Sequence, residues 1–524
     1  MTPQQHRLLL IYLVITALIS GALVMVIEVL GSRVIGPFFG VSLFVWTSLI
    51  TVTLLALAGG YAIGGVLSDQ WQKPAYLFGI ILLAGLLTLL IPVVKGPLLK
   101  ACMPLGLRGG AFAATLMLFG PVLLLLGCVS PYLVKLATRE LHNLGRVVGG
   151  LYALSTIGST LGTVLTGFFL IAYLGVNQIF ALIGGLLMAL AVGYFVMFQR
   201  RWWLLMVLPL PWLLYHPAGQ ISRDLEDGGR VSLIHSEENY YGSIKVVDYQ
   251  YGNARQRELI IDGMVQGGMD LSNHLSVYAY NYFIQYLSYM LVNEGERCLA
   301  IGVGLGVVPS WFEQQGIVCD VVDINPAIVQ VARDYFDFDP QGEVIIDDAR
   351  FYLTTTQRQY DFIVLDVFSG DITPAHLLSL EALQIVRRRL APGGVLAINL
   401  IGSLKQETFM TASVVKTLQQ VFDQVTVFPT FNPLQSSEGV GNLAIMAYQG
   451  EPRPLRPGQL RMRSHPRVVR EVLSNFGRRF QFAEGTPAMV LTDDYNPIDF
   501  FDSWLREYVR NNILQTTDWD ILLG

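Results

Sequence analysis

Charge is scarce in this chain of 524 residues. Asp, Glu, Lys and Arg make up 14% of it, against about 25% in an ordinary soluble protein. Of those 75 charges, 61 fall after residue 216, which excludes a single soluble domain and points to two parts built for different solvents. A basic excess is missing as well. The 40 acidic and 35 basic residues leave a net charge of −5, so no nucleic-acid partner is expected. Cysteine is rare: Cys102, Cys128, Cys298 and Cys319 form neither a CxxC pair nor a metal-ligand spacing. A zinc site and a disulfide framework are therefore not expected, and buried free thiols are.

What the chain has in excess is apolar length. Stretches of the roughly 20 residues that cross a bilayer occur at 8–30, 42–66, 75–95, 111–138, 147–173 and 177–198. Because further runs follow the first, it reads as a membrane helix and not as a cleaved signal. A seventh run, WWLLMVLPLPWLLY at 202–215, holds two prolines and 14 residues, which suits an element lying along the inner interface. With six crossings, Arg7, Lys73, Lys135, Arg139, Arg146, Arg200 and Arg201 share one side, and Arg33, Lys95, Lys100 and Arg108 the other. The positive-inside tendency then gives a multi-pass protein of the inner membrane, with a cytoplasmic N-terminus and a cytoplasmic domain after residue 216. Two features stand out within the spans. Gly158 and Gly162 have the GxxxG spacing of close helix packing. Glu28 is a carboxylate in hydrocarbon, either paired with Arg33 or lining a polar cavity.

The boundaries expected are a membrane domain at 1–215, a β-rich cap at 216–270 and an α/β domain at 271–524. In the cap, RVSLIHSEENYYGSIKVVDYQYG and RELIIDGMVQ alternate in the manner of antiparallel strands. Later, CLAIGVG, VCDVVDI, EVIIDDA, DFIVLDVF, GVLAINLI, QVTVFPTF and GNLAIMAY are interleaved with helical patterns. This predicts a doubly wound, Rossmann-like sheet of about seven strands with an antiparallel edge.

Ligands of such sheets bind at the carboxyl ends of the strands, and here those ends carry a consistent set of groups. The first strand runs into a turn with Gly302, Gly304 and Gly306, where backbone N–H groups can approach a ligand. The second ends on Asp323, about 20 residues on, a position from which a carboxylate can hold ribose hydroxyls. Asp347 and Asp348 follow the third strand, and Asp366 the fourth. No lysine followed by Ser or Thr completes the turn, so it is not a P-loop. The acids fit an adenosyl-sulfonium ligand better than a dinucleotide.

At these residues the second half resembles the spermidine synthase family of aminopropyltransferases, which have the class I methyltransferase fold. The stretches that carry the likeness are ENYYGSIKVVD, IIDGMVQ, IGVGLG, VVDINP, IDDARFYL and YDFIVLDVFSGD, within about 230–450. In the first half, EVLGSRVIGPFFG, WTSLITVTLLALAGGYAIGG and GGLYALSTIGSTLGTVLTG look like the membrane-fused spermidine synthase-like proteins of bacteria. The resemblance implies a transferase of polyamine biosynthesis in which an amine attacks decarboxylated S-adenosylmethionine and methylthioadenosine leaves. It implies Asp366 as the carboxylate that helps deprotonate the amine, Asp323 as the ribose binder and Asp348 as the adenine binder. Gln266 and Tyr241 would line the site, with Asp371 and His376 on the loop that follows Asp366.

The chain also departs from that pattern. Tyr241-Gly242 stands where the family has Tyr-Gln, and GGMDLSNHLSVYAYN where it has an acid-rich stretch. Asp371 is displaced from the family's second acid. The lost acids are those that grip ammonium groups, so intact S-adenosylmethionine stays open as the donor. Methyl transfer, donor breakdown and a ligand-binding transporter or sensor stay open as alternatives. The acceptor is expected to be a small amine or one borne by a lipid, and a homo-oligomer is compatible with the sequence.

Overall fold

The computed structural model describes residues 3–40, 43–138, 144–214, 221–225, 227–292, 294–368, 373–455, 462–501, 503–516 and 521. The chain divides into two compact units. One is Met1–Gly219 with Glu237–Ser243 and Leu522–Gly524; the other is Gln220–Ser236 with Ile244–Ile521.

The first unit is helical, with long apolar helices at Pro3–Phe39, Leu43–Gln70, Pro74–Cys102, Gly106–Ala137, Leu144–Leu165 and Val176–Gln199. By length and composition they form five stretches able to cross a membrane, because Pro74–Ala137 is one 64-residue apolar run. Within that run a short 3-10 turn, Met103–Leu105, ends at Gly106 with φ 74° and breaks the helix in two. The small-residue spacing has a visible purpose. A Cβ at Gly158 would stand 2.0 Å from the Leu18 carbonyl oxygen, and one at Gly162 would stand 2.4 Å from that of Ala22. Glu28 accepts from the Thr53 hydroxyl, while Arg33 donates to the carbonyl of Tyr240, so the anticipated Glu28–Arg33 pair is replaced by two other contacts.

The segment expected at the inner interface packs along the preceding helix over residues 202–214. Trp202–Val207 is a 3-10 helix and Leu210–Leu214 a short α-helix, and the pair folds back along Val176–Gln199. A Cβ on Gly185 would touch Pro211 Cγ at 3.4 Å. Gly185 is 14 residues, about 21 Å, from the Gln199 end of its helix. The 3-10 rise of about 2 Å per residue lets so short a segment cover that distance, and Pro209 and Pro211 keep it from coiling tighter. Its outward residues are apolar throughout, with Trp202 63%, Met206 79% and Trp212 84% exposed.

The second unit contains two sheets. β1 (Ser222–Asp224), β2 (Arg230–Asn239), β3 (Gly242–Tyr251), β4 (Ala254–Ile261), β5 (Met264–Asp270) and β6 (Leu275–Ser276) pair in sequence order. The meander runs past the boundary expected at 270, because Met269 and Asp270 pair with Ser276 and Leu275. The larger sheet holds β7 (Arg297–Ile301), β8 (Val318–Asp323), β9 (Val344–Ile346), β10 (Tyr360–Leu365), β11 (Leu390–Ser403), β12 (Gln424–Pro429) and β13 (Val440–Tyr448). Its order is β12-β13-β11-β10-β7-β8-β9. β7 to β11 are parallel, while β12 and β13 form the antiparallel edge. This is the Rossmann-like arrangement expected of the second half.

Because strand side chains alternate, the sheet feeds two cores. Cys298, Ala300, Val321, Phe362 and Val364 pack beneath the helices Ala279–Leu291, Val307–Gln314 and Pro326–Phe336. Leu299, Ile301, Val322, Ile363 and Leu365 pack on the other side against Leu380–Arg389 and Phe409–Gln419. All four cysteines are buried free thiols, and Cys298 and Cys319 sit side by side in the β7–β8 register. The chain leaves β7 toward β8 on one side, whereas β10 lies on the other side of β7. That reversal opens a crevice at the carboxyl ends of β7 and β10.

Candidate active site

The crevice opens as a cleft between the turn after β7 and the end of β10. It is lined by Gln266, Tyr280, Asn281, Gly302, Gly304, Val303, Asp366 and Phe368, among others. The turn after β7 owes its shape to its glycines, whose φ values are 91° at Gly302, 51° at Gly304 and 78° at Gly306. They are not equivalent. A Cβ at Gly302 would lie 2.3 Å from the Asp366 carbonyl oxygen, and one at Gly306 would lie 2.4 Å from the Phe338 ring. At Gly304 nothing comes within 4 Å, so that is where a ligand could approach the backbone. Gly306 then caps the helix Val307–Gln314.

Asp323 closes the turn from the side. Its Oδ2 accepts from Val303 N–H at 3.0 Å and its Oδ1 from Asn325 N–H at 2.8 Å. Burial raises its pKa, and these two donors work against the rise. Each oxygen keeps a lone pair, so ribose hydroxyls can still be accepted.

Asp366, one residue past β10, is the half-buried acid of the cleft. Its pKa is pushed up to about 6 by burial, against the pull of the Asn399 side chain. Asn399 Nδ2 donates to its Oδ1 at 2.8 Å. Tyr280 donates to the Gln266 carbonyl at 3.1 Å. Its phenol pKa is raised well above the ordinary value by burial and then by the charge of Asp366. Gln266 and Tyr280 therefore bring β5 and the helix after β6 to the same wall as Asp366.

Several other anticipated residues are not among those lining this cleft, although Asp347 N–H donates to the Asp323 carbonyl at 3.1 Å. Asp348 caps the helix Ala349–Thr355, accepting from Phe351 N–H at 2.9 Å. Its other oxygen is 3.4 Å from His376 Nε2, so His376 partners Asp348 and not Asp366. Asp347 accepts from Asp348 N–H at 2.8 Å. Tyr241 lies at the β2–β3 turn, 42% exposed, and belongs to the first compact unit. Asp371 lies outside the described residues. Among the described residues no cluster of His, Cys, Asp or Glu could hold a metal ion.

Sequence reasoning missed Tyr280, Asn281 and Asn399. It also found no task for LTDDYNPIDFF. That stretch braces the loop after β10: Asp493 pairs with Arg350 at 2.7 Å, and Asn496 donates to the Ala375 carbonyl at 2.8 Å. A polar residue in an otherwise apolar strand, Asn399 in GVLAINLI, was the one available signal.

Comparison with known proteins bears on the same residues. Residues 267–447, from β5 through β13, match the spermine/spermidine synthase domain. The second half of this chain is spermidine synthase-like. Polyamine aminopropyltransferase of Vibrio vulnificus is 31% identical over 190 residues, 34% of this chain and 62% of that protein. N-terminal histidine N-methyltransferase of Emericella nidulans is 32% identical over 139 residues, 26% of this chain and 25% of that one. This chain thus spans less than two thirds of either relative. A probable spermidine synthase from Corynebacterium glutamicum aligns in structure at 20% identity with a TM-score of 0.39, over 52% of this chain and 93% of that one.

Proposed function

We propose that the protein is a membrane-integrated aminopropyltransferase. The reading rests on Asp366, a half-buried carboxylate just past β10 that faces the same cleft as the glycine turn of a spermidine synthase-like domain. The donor is decarboxylated S-adenosylmethionine, with Asp323 holding its ribose and the turn at Gly304 its backbone-facing side. A primary amine attacks the propyl carbon next to the sulfonium. The C–N bond forms as the C–S bond breaks, the electron pair returns to sulfur, and neutral methylthioadenosine leaves. The nitrogen's surplus proton is drawn off by Asp366. A carboxyl titrating near 6 is mostly ionised at neutral pH, yet basic enough to accept that proton as positive charge develops. Adenine is taken up near Asp347 and Asp348. The acceptor is a small amine, or one borne by a lipid that the apolar helices admit.

Since the donor is a cytosolic metabolite, this reading puts residues after 221 on the cytoplasmic side. Counting 202–214, which packs along Val176–Gln199, as a seventh crossing puts the N-terminus on the far side, against the Lys and Arg excess at that end. The decisive experiment incubates membranes holding the full chain with decarboxylated and with intact donor, and identifies nucleoside and lipid products by mass spectrometry. Methylthioadenosine appearing with an aminopropylated amine supports the reading. S-adenosylhomocysteine as the product, or methylthioadenosine formed without any acceptor, overturns it.

A further inference from the structure

Asp366 is held by a chain of amides that comes from the antiparallel edge of the sheet. Asn399 on β11 donates from Nδ2 to Asp366 Oδ1 at 2.8 Å, and Asn442 on β13 donates from Nδ2 to Asn399 Oδ1 at 3.0 Å. Asn399 is 1% exposed. An Asn side chain can be turned either way about its last bond, and only its partners fix which way. Here they fix it fully. An ionised carboxylate only accepts, so Asn399 has to present its NH2 to Asp366. That leaves its oxygen for a donor, which Asn442 supplies. If Asn399 were flipped, two acceptors would face each other at one end and two NH2 groups at the other. The backbone that carries Asn442 is itself held, since its main-chain carbonyl accepts from both N–H and hydroxyl of Thr430 at 3.0 and 3.1 Å.

From this geometry we infer that Asn399 and Asn442 are positioning residues, which hold Asp366 ionised and leave its Oδ2 as the oxygen that meets the amine. The inference rests on the reading of Asp366 given above, and extends it to residues that never touch the substrate. The chain of two amides opposes the effect of burial, because a donor to a carboxylate favours its charged form. The other groups facing Asp366 bring no positive charge: Tyr280 is a phenol kept neutral by burial, and Gln266, Asn281 and the glycine turn are neutral. The charge state of Asp366 therefore depends on Asn399 more than on any other described neighbour.

The test uses the full chain in membranes or detergent, with Asn399→Leu, Asn399→Gln and Asn442→Leu. The readout is the midpoint of the acid limb of kcat/KM for methylthioadenosine release. Wild type should turn near pH 6. Asn399→Leu should move the midpoint up by about one unit. At pH 6 it is then depressed several-fold more than at pH 8, where its activity recovers. Asn442→Leu should move it the same way by less, and Asn399→Gln, which keeps an amide donor, should restore the wild-type limb.

A second measurement needs no substrate. The pH at which thermal stability declines because of Asp366, obtained as the difference from Asp366→Asn, should rise in Asn399→Leu. If wild type makes no methylthioadenosine, the aminopropyl reading fails while this ligand-free titration still decides the role of Asn399. An unmoved midpoint in both Leu variants, with activity lowered equally at every pH, would overturn the inference.

Discussion

Gly302 and Asp366 meet backbone to backbone at the mouth of the cleft. Asp366 N–H donates to the Ile301 carbonyl at 3.0 Å, and a Cβ on Gly302 would stand 2.3 Å from the Asp366 carbonyl oxygen. The nucleotide turn and the half-buried carboxylate are thus neighbours across one strand pair, and neither can shift without the other.

That contact separates two glycines that look alike in sequence. Gly302→Ala should cost about 2 kcal/mol or more, since the new methyl meets a carbonyl and φ is positive. Gly304→Ala meets open space and should lose only about 1 kcal/mol to its backbone conformation, while weakening donor binding more. Thermal unfolding and donor calorimetry on both variants check the contrast.

Asp366 should govern both rate and stability. Replacing it by Asn should lower turnover about 10²- to 10⁴-fold, as expected for loss of a general base. The sign of the stability effect follows from its raised pKa. A carboxyl that binds its proton more tightly when folded contributes stability that is full below about pH 4 and lost as pH rises through about 6. Between pH 4 and pH 8, Asp366→Asn should therefore gain up to about 3 kcal/mol on wild type. Denaturant unfolding at the two pH values measures this.

Asp348 serves as a helix cap, whatever else it does. Asp348→Ala should cost about 1 kcal/mol, whereas Asp348→Asn caps nearly as well and should leave stability within a few tenths. A fall in nucleoside affinity in the Asn variant, seen by calorimetry, would then report an adenine contact. Unchanged affinity would leave Asp348 as a cap alone.

The returning segment 202–214 makes a topological prediction. Reporters fused after Gln199 and after Leu214 should read opposite faces of the membrane, because Pro211 lies about 21 Å back along the preceding helix. Equal readings at both points would mean that 202–214 does not cross.

Much of the α/β architecture was legible because its signals are local. Alternation in CLAIG and VCDVVD marks strands, positive-φ glycines mark the turn, and an acid after a strand falls at the sheet's carboxyl edge whatever the neighbours are. Glu28 and Arg33 show where local reading stops. They lie five residues apart and suggested a pair, yet each found a partner from another part of the chain.

The sequence by itself determined the apolar helices, the seven strands and the placing of Asp323, Asp348 and Asp366 at strand ends, since those follow from period and turn chemistry over a few residues. Only the tertiary structure decided which acids share a cleft. Asp366 gained Asn399 across 33 residues of chain, and Asn399 gained Asn442 across 43, because β11 lies beside β10 and β13 beside β11. Asp348 was claimed by its own helix and by His376. The proline segment was turned back along a helix by packing at Gly185, which no spacing along the chain encodes.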